Sequence, residues 1–265
     1  MTYLEKLKLA IKASLKAAVQ INKIYQSGNF DIEFKNDNSP LTKADLASNE
    51  IIKNELSIIE IPILSEEGKM IDYEVRKNWD ELWIVDPIDG TKEFVKRNGE
   101  FTVNIALVRN KIPIIGVIYA PVLKKLYFSS FDLGSFLHED VNPSNFDIDT
   151  IIKESIELPK PNFNDSYKVV ASRSHMSHET TKFINELEIK FGKIDLVSSG
   201  SSLKLCLVAE GEAQCYPRLA PTMEWDTAAG HAICKYAGFN VIDYETKSEI
   251  LYNRKNLLNN WFIAK

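Results

Sequence analysis

Cysteine is scarce in this 265-residue chain: Cys206, Cys215 and Cys234 are odd in number, far apart and without C-x-x-C spacing. Neither a disulfide framework nor a cysteine zinc cluster is available to it, and a reducing, cytoplasmic compartment is the expectation. Long hydrophobic runs are missing too. No segment approaches the roughly 20 apolar residues of a membrane-spanning helix, and the N-terminus has neither an apolar signal core nor a small-residue cleavage site. Basic charge is not in surplus: 32 Lys and Arg against 37 Asp and Glu leave a formal net charge of -5. A nucleic-acid polymer, held by neutralising many phosphates, is therefore excluded as a partner. Histidine is sparse. His175 and His178 share H-x-x-H spacing, but no third nitrogen or sulfur ligand stands near them, which sets zinc aside.

What the chain does contain is 45% apolar residues, enough to bury the core of one large domain or of two closely packed lobes. The opening segment spaces Leu4, Leu7, Ile11, Leu15, Ala18 and Tyr25 at helical intervals with lysines between them, and so predicts an amphipathic helix. Packing on the protein's own body is the first use for such a helix; a peripheral contact with an anionic membrane is the alternative. A loop over 35–41 leads to Thr42-Lys43-Ala44-Asp45, a capping box that opens a second helix. Short β-rich runs follow from Ile63 to Leu137, with turn signals that favour antiparallel pairing. The stretch from Asp140 to Asp165 reads as the connection between lobes, and beyond it strand and helix patterns alternate as in layered α/β folds. His231, inside the last predicted helix, reads as a packing residue.

The chemistry concentrates where predicted strands end in acids. Leu82 to Val85 runs into Asp86-Pro87-Ile88-Asp89-Gly90-Thr91. Asp86 and Asp89 offer hard oxygen ligands for magnesium, Pro87 restrains the chain between them, Gly90 admits a phosphate close to the backbone, and the Thr91 hydroxyl can hold a water. Taken alone, D-P-x-D-G is equally a tight turn. Two further acidic ends weigh against that: Glu66-Glu67 after Ile63-Leu64, and Trp225-Asp226 before Thr227-Ala228-Ala229-Gly230.

In this order the three motifs resemble those of the inositol monophosphatase superfamily of magnesium-dependent, lithium-sensitive phosphatases. Within it, Gly90 to Phe94, Lys96 to Asn104, Gly200 to Lys204 and Tyr216 to Arg218 are similar to the 3′(2′),5′-bisphosphate nucleotidases of the CysQ type. The resemblance implies an α/β (α+β) fold, the layered αβαβα sandwich of the inositol monophosphatase type. It places an N-terminal lobe with most metal ligands over 1–140 and a C-terminal α/β lobe over 141–265. It implies two or three Mg2+ ions, one held by Glu66, Asp86 and the Ile88 carbonyl, another by Asp86, Asp89 and Asp226. Thr91 and Asp45 would orient an attacking water, with Glu66 also serving catalysis. Glu66, Ile88, Asp89, Gly90, Thr91 and Asp226 would meet the scissile phosphate, and Ser201, Lys204 and Arg218 the rest of the nucleotide. The segment from Ser172 to His175 would border the adenosine.

The implied reaction is hydrolysis of adenosine 3′,5′-bisphosphate to AMP and phosphate, with the 3′-phosphorylated sulfate carrier as a further substrate, in the context of sulfur assimilation. Two alternatives stay open on the sequence: a phosphatase of the same fold for inositol monophosphate or fructose 1,6-bisphosphate, and a non-catalytic sensor of metal and nucleotide. Nothing in the sequence sets the oligomeric state.

Overall fold

The stripe of Leu7, Ile11, Leu15 and Ala18 produces helix α1, Tyr3–Ser27, capped at its start by a Thr2/Glu5 capping box. In the computed structural model, which describes residues 1–35, 39–161, 166–171 and 176–265, that stripe is buried. It packs on the main sheet and on helix α2, Lys43–Leu56. The apolar face that a lipid surface would require is thus occupied by the protein itself. Among the described residues no helix is long and apolar enough to cross a membrane.

Between the two helices, where only a loop was expected, Glu33–Phe34 (β1) and Pro40–Leu41 (β2) pair antiparallel. After α2 come β3 (Ile63–Ser65), the short α3 (Tyr73–Arg76), β4 (Glu81–Asp89) and α4 (Thr91–Lys96). Then follow β5 (Thr102–Arg109), β6 (Ile112–Ala120), β7 (Lys125–Ser130), β8 (Gly134–His138), α5 (Ile148–Glu154) and β9 (Ile156–Glu157). These strands form a seven-stranded sheet in the order β3-β4-β5-β6-β7-β8-β9. The expectation of antiparallel pairing fails at one place, because β3 and β4 run parallel. The chain between them returns through α3, and such a crossover lets two strands share a direction where a hairpin cannot. The stretch expected to be a plain connection supplies α5 and lays β9 along β8, so the sheet extends past residue 140.

The last part contains β10 (Tyr167–Val170), α6 (His178–Phe191) and β11 (Ile194–Val197), a parallel β-α-β unit. It continues with α7 (Leu203–Ala209), β12 (Tyr216–Arg218), α8 (Glu224–Tyr236), β13 (Val241–Asp243) and β14 (Phe262–Ala264). The three short strands pair antiparallel in the order β12-β14-β13.

Alternation along β4 assigns the layers. Trp83 and Val85 join the core under α1 and α2, whereas Leu82 and Ile84 join a second core under α7 and α8. Helices thus cover both faces of the main sheet, with the second sheet beyond α8, as the layered αβαβα reading requires. Helix α8 lies so close to β6 that a Cβ on Gly116 would stand 2.4 Å from the Ala229 carbonyl oxygen. This contact brings the start of α8, and Asp226 with it, to the end of β4.

Candidate functional site

β4 does not stop at its first acid. Asp86 pairs with Asn104 and Asp89 with Thr102, so three steps on β4 face two on β5, and one extra residue is accommodated as a bulge. The segment that read equally as a tight turn is a bulged strand that continues to Asp89. Pro87 has no N–H to give to the ladder, and its carbonyl instead accepts a hydrogen bond from Ser48 Oγ of α2 at 2.8 Å. The Ile88 N–H returns to Asp86 Oδ1 at 3.1 Å. Gly90 then turns the chain into α4 at φ 89°, and a Cβ there would come within 3.3 Å of the Glu100 carbonyl and of Ser201.

The bulge and the start of α8 bring together Asp86, Asp89 and Asp226, which offer one oxygen each within 4.8 Å of one another. At an effective dielectric near 20, each ionised pair at that range repels by about 3 to 4 kcal/mol. Three such pairs would consume most of the roughly 5 to 15 kcal/mol that holds a domain folded. The cluster must therefore take up protons or cations. Burial is the main cause that drives the Asp86 carboxyl well above the usual carboxylate range, reinforced by Glu66, Asp89 and Asp226; the side chain is 1% exposed. Burial and Asp89 likewise push Asp226 up to about 7, although its Oδ2 caps α8 by accepting the Met223 N–H at 2.8 Å. A compact set of hard carboxylate oxygens, with protonation the alternative to a cation, fits a divalent metal of the magnesium or calcium kind.

Glu66, just past β3, donates its N–H to the Val85 carbonyl at 3.1 Å, which ties the second acidic strand end to the first. Its carboxylate is raised by burial and held back by Lys35, whose Nζ lies 2.9 Å from Oε1. The same ammonium also reaches Glu67. Burial alone would depress Lys35; the two glutamates outweigh it and hold the amine above its ordinary range. Lys35 stands at the end of β1, where the sequence showed only a polar loop, and nothing local marks it as the partner of a residue 31 positions away.

Asp45 divides its two oxygens between two threonines. Oδ2 accepts the Thr42 N–H at 2.8 Å and completes the capping box, while Oδ1 accepts the Thr91 hydroxyl at 3.1 Å. That hydroxyl is also 3.3 Å from the Ile88 carbonyl. Burial pushes the Asp45 carboxyl up, against the lowering by these hydrogen bonds. Ser48 and Asn49 were not singled out from the sequence. Asn49 accepts the Ser65 hydroxyl at 2.8 Å, so α2 grips both the β3 end and the β4 bulge.

Asp89, Gly90, Ser201, Lys204, Arg218 and Asp226 line a common cleft of about 490 Å³. Ser201 adopts the left-handed region at φ 54°, and its Oγ donates to the Asp89 carbonyl at 3.0 Å. The Lys204 ammonium reaches the Ser199 carbonyl at 3.5 Å. Arg218 gives one terminal nitrogen to Pro221 O at 3.0 Å, and its buried Nε has no partner among the described residues. His231 is buried between Tyr252 OH and Glu249, both at 3.1 Å, and burial lowers its pKa, as befits a packing residue. The segment from Ser172 to His175 lies outside the described residues; His178 opens α6.

The sequence profile of the inositol monophosphatase family matches residues 3–264. Over 232 residues, 86% of each chain, the protein is 44% identical to the 3′(2′),5′-bisphosphate nucleotidase CysQ of Salmonella typhimurium. It is 45% identical over 251 residues to the CysQ of Buchnera aphidicola, which covers 92% of this chain and 87% of the relative. The crystal structure of CysQ from Bacteroides thetaiotaomicron is similar with a TM-score of 0.90 and 49% identity, over 98% of this chain and 97% of that one.

Proposed function

This chain belongs to the inositol monophosphatase family, and on that premise we propose that it is a magnesium-dependent 3′(2′),5′-bisphosphate nucleotidase. Its reaction is hydrolysis of adenosine 3′,5′-bisphosphate to AMP and phosphate, with the 3′-phosphorylated sulfate carrier as a second substrate. The observation that carries this reading is the make-up of one cleft, in which Asp89 and Asp226 share the wall with Lys204 and Arg218. A ligand with two phosphates suits such a wall, one phosphate going to the acidic cluster through cations and the other to the basic side chains.

Asp86, Asp89 and Asp226, with Glu66 and the Ile88 carbonyl, would hold two or three Mg2+ ions. Bound there, the ions neutralise the phosphate, acidify water and stabilise the leaving oxygen. The protein's own part is positioning and proton transfer. Thr91 donates its proton toward Asp45 Oδ1, which leaves the threonine oxygen to accept one from the attacking water. A proton passing from water to Thr91 Oγ1 and on to Asp45 Oδ1 ends on a carboxyl whose burial raises its basicity. Gly90 leaves room for the phosphate beside the backbone. The three thiols, all unpaired and buried, suit a reducing cytoplasm.

Phosphate release from adenosine 3′,5′-bisphosphate, the sulfated carrier, inositol monophosphate and fructose 1,6-bisphosphate tests the reading. The bisphosphorylated nucleotide should be turned over with the highest kcat/KM, activity should vanish in chelator, and calcium and lithium should inhibit. Lys204→Ala and Arg218→Ala should raise KM for the nucleotide about tenfold or more and spare a simple phosphomonoester. A preference for inositol monophosphate would overturn the substrate; full activity in chelator would overturn the metal.

A further inference from the structure

The start of α7 is stitched to the strands that carry the acidic cluster by a chain of polar side chains, of which Thr102, Asn104 and Ser202 have been given no role. Ser202 Oγ donates to Asn104 Oδ1 at 2.9 Å, and Asn104 Nδ2 donates to Asp89 Oδ2 at 3.4 Å. Thr102 Oγ1 lies 2.7 Å from Ser201 Oγ, 2.8 Å from Ser202 Oγ and 3.0 Å from Asn104 Oδ1. Ser201 Oγ reaches the Asp89 carbonyl, and the Gly200 N–H reaches Glu100 Oε2 at 2.8 Å. Thr102, Asn104 and Ser202 are buried, Asn104 to 1% exposure, so water does not compete for these groups.

Three hydroxyls have three protons for more contacts than they can all serve, and the direction of each bond depends on its neighbours. Asn104 joins the two ends of this chain. Its Nδ2 reaches one oxygen of the Asp89 carboxylate, and its Oδ1 collects the Thr102 and Ser202 hydroxyls. A metal ligand whose orientation is set by a second residue loses affinity when that residue is removed. Here the second residue is tied in turn to the other wall of the cleft.

We propose that Asn104 is a positioning residue that couples Asp89 to the Gly200–Ser202 segment, so that a cation and a nucleotide strengthen each other's binding. Whatever factor the nucleotide adds to cation affinity, the cation adds to nucleotide affinity, since the coupling is reciprocal. The inference rests on the metal and nucleotide reading given above.

Calorimetric titration of the full chain with Mg2+, in the absence and presence of saturating AMP, tests it without turnover. In the wild type AMP should tighten Mg2+ about fivefold or more, the lower end of ordinary coupling. Asn104→Ala should weaken Mg2+ about tenfold in the absence of AMP and bring the AMP effect close to none. Ser202→Ala, a milder change that keeps the Asn104–Asp89 bond, should leave AMP-free Mg2+ affinity near wild type and still reduce the AMP effect. If Asn104→Ala does not fold, Ser202→Ala decides. Coupling of wild-type size in the variants, or none in the wild type, overturns the relay. A wild type that binds no Mg2+ instead overturns the metal reading beneath it.

Discussion

Asp86 is the side chain for which fold and chemistry conflict most directly. Its carboxyl is buried in the main sheet and faces repulsion from Glu66, Asp89, Asp226 and Asp45. Asp86→Asn removes the charge at nearly constant volume. Turnover should fall below about 1% of wild type, because the proposed shared cation ligand is lost. In chelator the variant should melt at least as high as the wild type, since the buried cluster has one carboxylate fewer to repel its neighbours. Calorimetry with and without Mg2+ reads both effects, and a variant with wild-type turnover would return the D-P-x-D motif to a purely structural role. Asp45 presents the complementary case, because its two oxygens divide the helix cap from the Thr91 hydroxyl, its partner in the proposed relay. Asp45→Asn keeps one acceptor for the Thr42 N–H but can no longer accept the Thr91 proton along the relay. Stability should drop by no more than about 1 kcal/mol, while turnover falls about 100-fold. Melts and kinetics at saturating Mg2+ separate the two losses; a lowered melting temperature with unchanged turnover would leave Asp45 as a cap only.

Among the elements, α8 has the strictest placement. It brings Asp226 to a site otherwise built on β4, and its approach to the sheet is limited by Gly116, where a Cβ would press on the backbone oxygen of Ala229 rather than on a movable side chain. Gly116→Ala should therefore cost about 1 to 3 kcal/mol. It should also weaken Mg2+, because shifting α8 parts Asp226 from Asp86 and Asp89. Gly192→Ala is the control: at φ 80° and ψ -150° it bears strain of about 1 to 3 kcal/mol, but nothing lies within 4 Å of its Cβ. Denaturation curves and Mg2+ titrations should show loss of affinity in the first variant only. Equal Mg2+ affinity in both would mean that Asp226 reaches the cluster without help from this packing.

For the whole molecule the acidic cluster links stability, pH and metal. The carboxyl of Asp226 rises from 3.8 to about 7 in the folded protein, chiefly through burial. Below pH 4 folded and unfolded chains both hold this proton; between about 4 and 7 the unfolded chain releases it first. The unfolded state then binds fewer protons, so this group's contribution to stability falls as pH rises through that window. Asp86 moves in the same direction. On the proposed reading Mg2+ would displace the retained protons, and its stabilising effect should grow over the same interval. The rise in Tm on adding saturating Mg2+ should be several degrees larger at pH 8 than at pH 5. A Tm increment that does not change with pH would detach the metal from these carboxyls.

Much of this was legible in the residues themselves. The stripe of α1, the Thr42/Asp45 capping box and the apolar run into Asp86 and Asp89 are local patterns, set by backbone geometry and by the few residue types that suit a strand end or a helix start. The acids after two strands and at the start of α8 spoke against a plain turn, and it was their resemblance to the inositol monophosphatase superfamily that joined them into one site. The tertiary structure decided which distant groups meet. Lys35 faces Glu66, Ser48 holds the Pro87 carbonyl, β9 closes the edge of the sheet, and Asn104 stands between Asp89 and Ser202. None of these pairs is joined by a helical or strand period. Each forms because packing brings polar groups distant in sequence within reach of one another, and burial makes a missed hydrogen bond costly.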